Sequence, residues 1–274
     1  MNSPDGDRIF SGSIAQVYER YMVPMIFAPY AEDLAQRVVL RRPADVLEIA
    51  AGTGAVTRRL ADCLPGHASI VATDLNQAMI DHAMAVGTSR PVHWQQADAM
   101  RLPFEDGSFD AVVCQFGWMF LPHKAAGFAE ARRVLRPGGA LLFNVWDRIE
   151  DNAFADVVTQ AMAQLFPDDP PRFLARLPHG YHDRTVIAGD LLDGGFTGAN
   201  TMDTVTTHSH AASARMVAVG YCQGTPLRNE IEARLGASLA EATDATAAVV
   251  EARLGTGPVS GRIQAHVIVA PRDA

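Results

Sequence analysis

The chain has 274 residues, of which 48% are hydrophobic and 20% charged, and its formal net charge is −8. This composition is typical of a globular protein with one large domain, or one domain and a lid. The negative balance argues against a nucleic-acid partner, because proteins that bind nucleic acids usually present a basic face. No apolar run approaches the ~20 residues that cross a bilayer, and the polar residues 1–8 predict a disordered start without a signal peptide. The three distant cysteines predict reduced thiols in a cytoplasmic protein, with neither a disulfide framework nor a metal site.

The first predicted element is helical and runs from Gly12 to about Arg41. Pro24 and Pro29 lie inside this pattern, and proline removes a helical hydrogen bond and crowds the preceding turn. We therefore expect two or three helical pieces rather than one helix.

Residues 45–55 (DVLEIAAGTGA) predict a short buried strand, a tight turn and the start of a helix. The strand lacks polar alternation, which is typical of strands buried on both faces of a parallel sheet. Gly52 and Gly54 permit the turn and a close approach of ligand to backbone, and the helix start directs N–H groups toward that ligand. The carboxylate of Glu48 would repel a pyrophosphate. It favours a ligand with positive charge or with hydroxyl and ammonium donors.

Four more strands, at 68–74, 92–97, 109–116 and 140–146, alternate with helical segments. This alternation requires a parallel sheet with helices on both faces. Beyond Asp147 the pattern predicts helices at 151–166, 184–192, 213–222 and 226–254, and strands at 201–208 and 262–270. We therefore expect an α/β fold, a Rossmann-like doubly wound sheet that is mostly parallel with a late antiparallel strand, together with a helical N-terminal lid and an inserted cap.

Polar residues stand at the carboxyl ends of four predicted strands: Glu48, Asp74, Asp98 and Gln115. Ligands of such sheets bind at this edge. Asp74 follows Gly54 by twenty residues, the spacing at which a carboxylate accepts bonds from ribose hydroxyls. A dinucleotide fingerprint would have a third glycine where Thr57 stands, so this turn departs from that pattern.

With these motifs the sequence resembles the class I S-adenosylmethionine-dependent methyltransferases, in particular the group that includes the ubiquinone/menaquinone C-methyltransferases. The resemblance covers about residues 44–146 and rests on the segments VLEIAAGTG (46–54), ATD (72–74), QADA (96–99), PF (103–104) with FD (109–110), and VLRPGG (134–139). The family often has glycine where Ala50 stands, and alanine is the smallest change from it.

The resemblance implies S-adenosyl-L-methionine as cofactor and S-adenosyl-L-homocysteine as product. Its methionine end would lie at the turn, on Glu48, Ala50, Gly52, Thr53 and Gly54. Asp74 would accept both ribose hydroxyls. The adenine would contact Leu75, Met79, Ala97, Asp98 and Ala99, with Asp98 accepting from the amino group and the Ala99 N–H serving a ring nitrogen. Gln115 and Phe116 would lie near the sulfonium, and Tyr21 would reach the cofactor from the lid.

The acceptor is expected to be a small, mostly apolar organic molecule, bound by Trp118, Phe120, Trp146 and Phe154. Methyl transfer needs a general base only if the acceptor must lose a proton, and His123 is the candidate by proximity. The predicted division is a lid at 1–42, a core at 43–147 and 184–274, and a cap at 148–183.

Several alternatives remain open at the level of sequence. Asp74 and Asp98 could cap helices, Met79 could belong to the core, and the helices near 230–254 could pack internally or form a homodimer. The chain could also be a NAD(P)-dependent oxidoreductase, or a non-catalytic protein that binds S-adenosylmethionine, because methyl transfer has no obligatory nucleophile to look for.

Overall fold

The computed structural model describes residues 13–273; the predicted disordered start, residues 1–8, lies outside them. By its internal contacts the chain divides into two compact units. We call residues 28–146, 181–205 and 265–273 the sheet unit, and residues 13–27, 147–180 and 206–264 the helical unit. The division into lid, core and cap stays a prediction.

A seven-stranded sheet runs in the order β3-β2-β1-β4-β5-β7-β6. Its strands are β1 Asp45–Ile49, β2 Ser69–Asp74, β3 His93–Gln96, β4 Phe109–Gln115, β5 Leu135–Trp146, β6 Thr201–Ala211 and β7 Val259–Pro271. The first five strands pair in parallel. β7 is antiparallel to β5, with Asn144 opposite Val267. The predicted fold class, a mostly parallel sheet with a late antiparallel strand, is confirmed.

Both faces of the sheet are covered, as the apolar strands require. In the sheet unit the helices are α2 Ala28–Leu40, α3 Ala55–Cys63, α4 Gln77–Val86, α5 Lys124–Val134 and α8 Arg184–Asp193. On one face, residues of α2 and α3 form a single buried cluster with Val46, Ala111 and Leu142. On the other face the ring of Phe128 in α5 packs 5.3 Å from that of Phe143 in β5.

The N-terminal helical pattern forms α1 Ser13–Val17, a π-helix Tyr18–Phe27 and then α2. Two or three pieces broken at the prolines were expected, but the three segments follow one another without a gap, and Pro24 lies inside the π-helix. The wider i→i+5 turn of a π-helix moves the carbonyl that a proline ring would crowd. Pro29 is the second residue of α2, which follows the π-helix directly, so the helical run continues through this proline as well.

The helical unit contains α6 Ala153–Leu165, α7 Phe173–Arg176, α9 Ala214–Gln223, α10 Leu227–Glu232 and α11 Leu239–Leu254. The single helix predicted over 226–254 is therefore wrong. Gly236 adopts a φ of +127° in the interruption, and Ser238 begins α11 with a reciprocal capping box to Glu241. Such a box stabilises a new helix start, which separates α10 from α11. Within residues 13–273, no helix combines the length and apolarity needed to span a membrane.

Candidate functional site

The turn after β1 is held in a conformation that few side chains adopt. Ala50, Gly52 and Gly54 have φ values of +53°, +56° and +85°. The Ala51 N–H donates to the Thr73 carbonyl at 2.9 Å, which ties the turn to β2. A Cβ at Gly54 would lie 3.0 Å from the ring of Trp94, so this glycine is required by space as well as by φ. Ala50 keeps the left-handed conformation with a side chain, at a cost of about 1 kcal/mol.

Asp74, the last residue of β2, joins the turn to the start of α4. Its Oδ2 accepts from the Gly52 N–H at 2.8 Å, and its Oδ1 accepts from the Asn76 N–H at 2.8 Å. Burial raises the pKa of this carboxyl. The N-cap of α4 is Asn76, which makes no side-chain capping bond, so Asp74 does not cap this helix. Its carboxylate lies instead at the glycine turn, as a ribose acceptor requires.

Glu48 is enclosed beneath the turn. Only 1% of the residue is exposed, and the Thr57 hydroxyl of α3 donates to its Oε2 at 2.6 Å. Burial raises the pKa of Glu48 to about 8, although the Thr57 bond and the Arg58 charge lower it. A carboxyl bonded to α3 from inside is well placed to fix the turn between β1 and α3.

Asp98 and its neighbours lie beyond β3. Its carboxylate is exposed, and Oδ1 accepts from the Met100 N–H at 2.9 Å. The Ala97 N–H donates to the Asp74 carbonyl at 3.0 Å, so the ends of β2 and β3 are joined. The side chain of Leu75 is 43% exposed at this edge, whereas Met79 is buried. Leu75 thus presents an apolar surface next to Asp74. Met79 is a core residue, which was the alternative to an adenine contact.

Phe116 follows β4 with a φ of +51° and a buried ring. The ring stacks on Trp146 with centroids 3.8 Å apart, and the ring of Tyr30 meets both edge-on at 5.3 Å. Gln115 is half-buried at the end of β4. Tyr30 was not predicted as a site residue, because its place beside Phe116 depends on how α2 packs on the sheet.

Thr53 Oγ1 in the turn and Asn144 Nδ2 in β5 are buried polar atoms that lack a hydrogen-bond partner within residues 13–273. Buried polar groups are nearly always paired. Asn144 is opposite Gln115 in the sheet, and its Oδ1 accepts from the Phe116 N–H at 2.9 Å. Asn144 was not selected from the sequence, although a lone amide within the apolar run of β5 was a usable signal.

Two of the residues predicted to bind the acceptor lie in hydrophobic cores. Trp118 is completely buried between Phe128 and Phe143, with centroid distances of 4.3 and 5.2 Å. Phe154 is also completely buried, inside the helical unit. Both side chains belong to cores and leave no surface for an acceptor, so their expected role in acceptor binding is not supported.

Three candidates keep solvent access. Phe120 is half-buried in the 3-10 helix Trp118–Phe120. His123 is exposed at the start of α5, where its carbonyl accepts from the Gly127 N–H. Tyr21 is half-buried in the π-helix, with the Arg20 guanidinium 5.3 Å from its ring. In the part of the chain that the structure describes, no cluster of three or more His, Cys, Asp or Glu side chains could hold a metal ion.

The family model for the methyltransferase domain matches residues 46–139. The ubiquinone/menaquinone biosynthesis C-methyltransferase of Pseudomonas fluorescens (strain Pf0-1) is 31% identical over 180 residues, which cover 61% of this chain and 68% of the relative. The corresponding enzyme of Pseudomonas aeruginosa (strain LESB58) is 28% identical over 214 residues, covering 73% of this chain and 77% of that one.

Two solved structures share the fold. The YcgJ protein of Bacillus subtilis has a TM-score of 0.56 and 18% identity, covering 90% of this chain and 99% of its own. Phosphoethanolamine N-methyltransferase 2 of Haemonchus contortus, solved with phosphomonomethylethanolamine and S-adenosylhomocysteine, has a TM-score of 0.58 and 17% identity, covering 100% of this chain and 61% of its own. The residues matched by the family model include the turn after β1, Asp74 and Asp98. The chain belongs to the class I S-adenosylmethionine-dependent methyltransferases.

Proposed function

We propose that the protein transfers a methyl group from S-adenosylmethionine to an oxygen, nitrogen or carbon nucleophile of a small, mostly apolar organic acceptor. The observation that carries the proposal is the contact between Asp74 and the Gly52 N–H. This contact holds the carboxylate proposed to bind the ribose hydroxyls beside the glycine turn. Bound there, S-adenosylmethionine supplies a methyl group on positively charged sulfur, already activated for in-line displacement.

The chain's own residues bind and orient this cofactor. Asp74 accepts from the ribose hydroxyls, while Asp98 and the Ala99 N–H recognise the edge of the adenine and Leu75 covers its face. The turn from Ala50 to Gly54 holds the methionine end, and Thr53 Oγ1 is a donor available to it. Glu48 keeps the turn in place from beneath through Thr57.

The fourth and fifth strands form the side of the site nearest the reacting atoms. Gln115 and the segment that starts at Phe116 lie there, with Asn144 behind them. A closely packed aromatic cluster at Phe116 and Trp146 excludes water from this side. A dry site favours transfer of the methyl group from the sulfonium to the nucleophile, with the neutral thioether as leaving group.

The apolar character of the acceptor is supported by Phe120, the half-exposed aromatic side chain just beyond β4. Among the three nucleophile classes, the relatives favour carbon, because they are named as C-methyltransferases of ubiquinone/menaquinone biosynthesis. If the acceptor must lose a proton, exposed His123 is the proposed base.

An acceptor screen with methyl-labelled cofactor tests this function. Phenols, hydroquinones, apolar amines and polar amines are offered in parallel, and the labelled product is identified by mass spectrometry. We expect label on an aromatic or otherwise apolar acceptor, and a higher acceptor KM in Phe120→Ala with cofactor KM unchanged. Turnover confined to polar amines would contradict the acceptor class. Cofactor binding without labelling of any acceptor would favour the non-catalytic alternative.

A further inference from the structure

The connection from β3 to β4, residues 97–108, carries the adenine-side residue Asp98 but contains no helix or strand of its own. In an α/β fold a helix usually occupies such a crossover. An irregular segment of this length needs anchors from elsewhere to keep a ligand-binding carboxylate in place. Those anchors come from the last two turns of α5.

Arg133 holds the connection through its carbonyl groups. Its Nη2 donates to the Leu102 carbonyl at 3.0 Å, and its Nη1 donates to the Phe104 carbonyl at 2.7 Å. Nη1 also pairs with the Asp106 carboxylate at 2.8 Å. One guanidinium therefore fixes three positions of a five-residue stretch, and it does so with a planar fork of five N–H donors, where a lysine has three.

Glu130 completes the arrangement one turn earlier on α5. Its Oε2 accepts from the Leu102 N–H at 2.8 Å, and its carboxylate receives two bonds from Arg133, at 2.8 and 2.9 Å. The Arg133 bonds hold the pKa of the Glu130 carboxyl below its ordinary value. Both backbone polar groups of Leu102 are therefore bonded to the same ion pair.

Asp98 lies in a short turn that is tethered at both ends. On one side the Ala97 N–H donates to the Asp74 carbonyl. Within the turn, the Arg101 N–H donates to the Asp98 carbonyl at 2.9 Å. On the other side, Leu102 is the residue bonded to Glu130 and Arg133. The position of the Asp98 carboxylate is thereby coupled to the ion pair on α5.

We propose that Glu130 and Arg133 are positioning residues for adenine recognition, acting through the backbone of residues 102–106 to hold Asp98 and the Ala99 N–H in register with the base. This inference rests on the proposed function, which assigns Asp98 and Ala99 to the adenine. Glu130 and Arg133 act through this backbone and not by contact with the cofactor. Their contribution is to the discrimination between adenine and bases of the same shape.

The test compares S-adenosylhomocysteine with S-inosylhomocysteine. Hypoxanthine carries an oxygen where adenine carries its amino group, and a protonated nitrogen where adenine carries an acceptor, so it opposes both Asp98 and the Ala99 N–H. Calorimetry on the full-length protein should give the wild type a preference for the adenosyl ligand of about 10-fold or more, the usual penalty for leaving polar groups unpaired. Arg133→Met should reduce that preference several-fold and raise cofactor KM, with acceptor KM unchanged. Glu130→Gln and Arg133→Lys should give intermediate ratios.

A matched control separates positioning from general loss of stability. Arg136 makes a comparable ion-pair cluster, with Asp45 at 2.8 Å and Asp110 at 2.7 Å, at the starts of β1 and β4. Arg136→Met should lower stability while preserving the adenosyl preference. If Arg133→Met does not fold, Arg133→Lys and Glu130→Gln supply the comparison.

The outcomes distinguish this inference from the function on which it rests. A wild type that discriminates between the two ligands, with unchanged ratios in folded Arg133 and Glu130 variants, overturns the positioning role alone. An equal loss of preference in Arg136→Met also overturns it. A wild type that does not bind S-adenosylhomocysteine overturns the proposed function, and the positioning role falls with it.

Discussion

At the scale of single residues, Glu48 has a consequence that can be measured without a ligand. Its folded pKa of about 8 exceeds the ordinary value near 4.5, chiefly because the carboxyl is buried. Above pH 4.5 the unfolded chain has lost a proton that the folded protein retains. This group's contribution to stability is therefore fully present at low pH and is lost as the pH rises toward 8.

We predict that Glu48→Gln removes this dependence, because an amide resembles the protonated acid. Each unit of pKa difference corresponds to about 1.4 kcal/mol. The free energy of unfolding of the wild type should fall relative to that of the variant between pH 5 and pH 8. Urea unfolding at several pH values measures the difference, and parallel curves for the two proteins would show that Glu48 is not the titrating group.

Ala50 shows how a conservative departure from the family's pattern acts on the backbone. The alanine occupies a left-handed position with φ of +53°, which glycine adopts without strain. Gly117 is the matching requirement on the facing segment, because a Cβ there would lie 2.5 Å from the Ala50 Cβ. The Ala50 side chain therefore fits at this position because the residue facing it is a glycine.

At the scale of elements, α7 in the helical unit depends on a carboxylate from another helix. Buried Glu230 of α10 accepts from the backbone N–H groups of Arg172 and Phe173 at 2.7 and 3.2 Å. It also pairs with the Arg176 guanidinium at 2.9 Å. A helix of four residues cannot be stable by itself, so this external acceptor explains why it forms in a proline-rich stretch.

We predict that Glu230→Ala lowers the free energy of unfolding by about 2–4 kcal/mol, since buried donors lose their acceptor and an ion pair is broken. Glu232→Ala is the control on the same helix, because Glu232 is exposed and forms a surface ion pair with Arg228 at 2.9 Å. Its effect should be about 0.5 kcal/mol or less. Equal losses in the two variants, measured by chemical denaturation, would refute the anchoring role of Glu230.

Helices and strands could be predicted where local sequence patterns decide them. The alternation of β1 to β5 with helices follows from local apolar patterns. The predicted bounds of β2, β3 and β4 agree with the structure to within one residue, whereas β5 begins at Leu135, five residues before its predicted start. The interruption at 233–238 was missed because alanine and glutamate favour helix on both sides of it. Pro24 was misjudged because a π-helix accommodates a ring that an α-helix excludes.

At the scale of the whole molecule, the topology made much of the candidate site predictable. Parallel strands bring their carboxyl ends to one edge, so Glu48, Asp74, Asp98 and Gln115 could be grouped before any contact was known. Contacts between distant segments could not be predicted from the sequence. Tyr30 reaches Phe116 only through the packing of α2, and Trp118 is enclosed by Phe128 and Phe143 from two later elements.

Calorimetric titration with S-adenosylhomocysteine and with NADPH tests the central claim most directly. The wild type should bind S-adenosylhomocysteine, Asp74→Asn should bind it about 10- to 100-fold more weakly through loss of charge-assisted bonds, and Asp81→Asn, an exposed carboxylate on α4, should bind it like the wild type. NADPH should give no response. Tight NADPH binding without a response to S-adenosylhomocysteine, or unchanged affinity in Asp74→Asn, would contradict the assignment of this edge to the methyl donor.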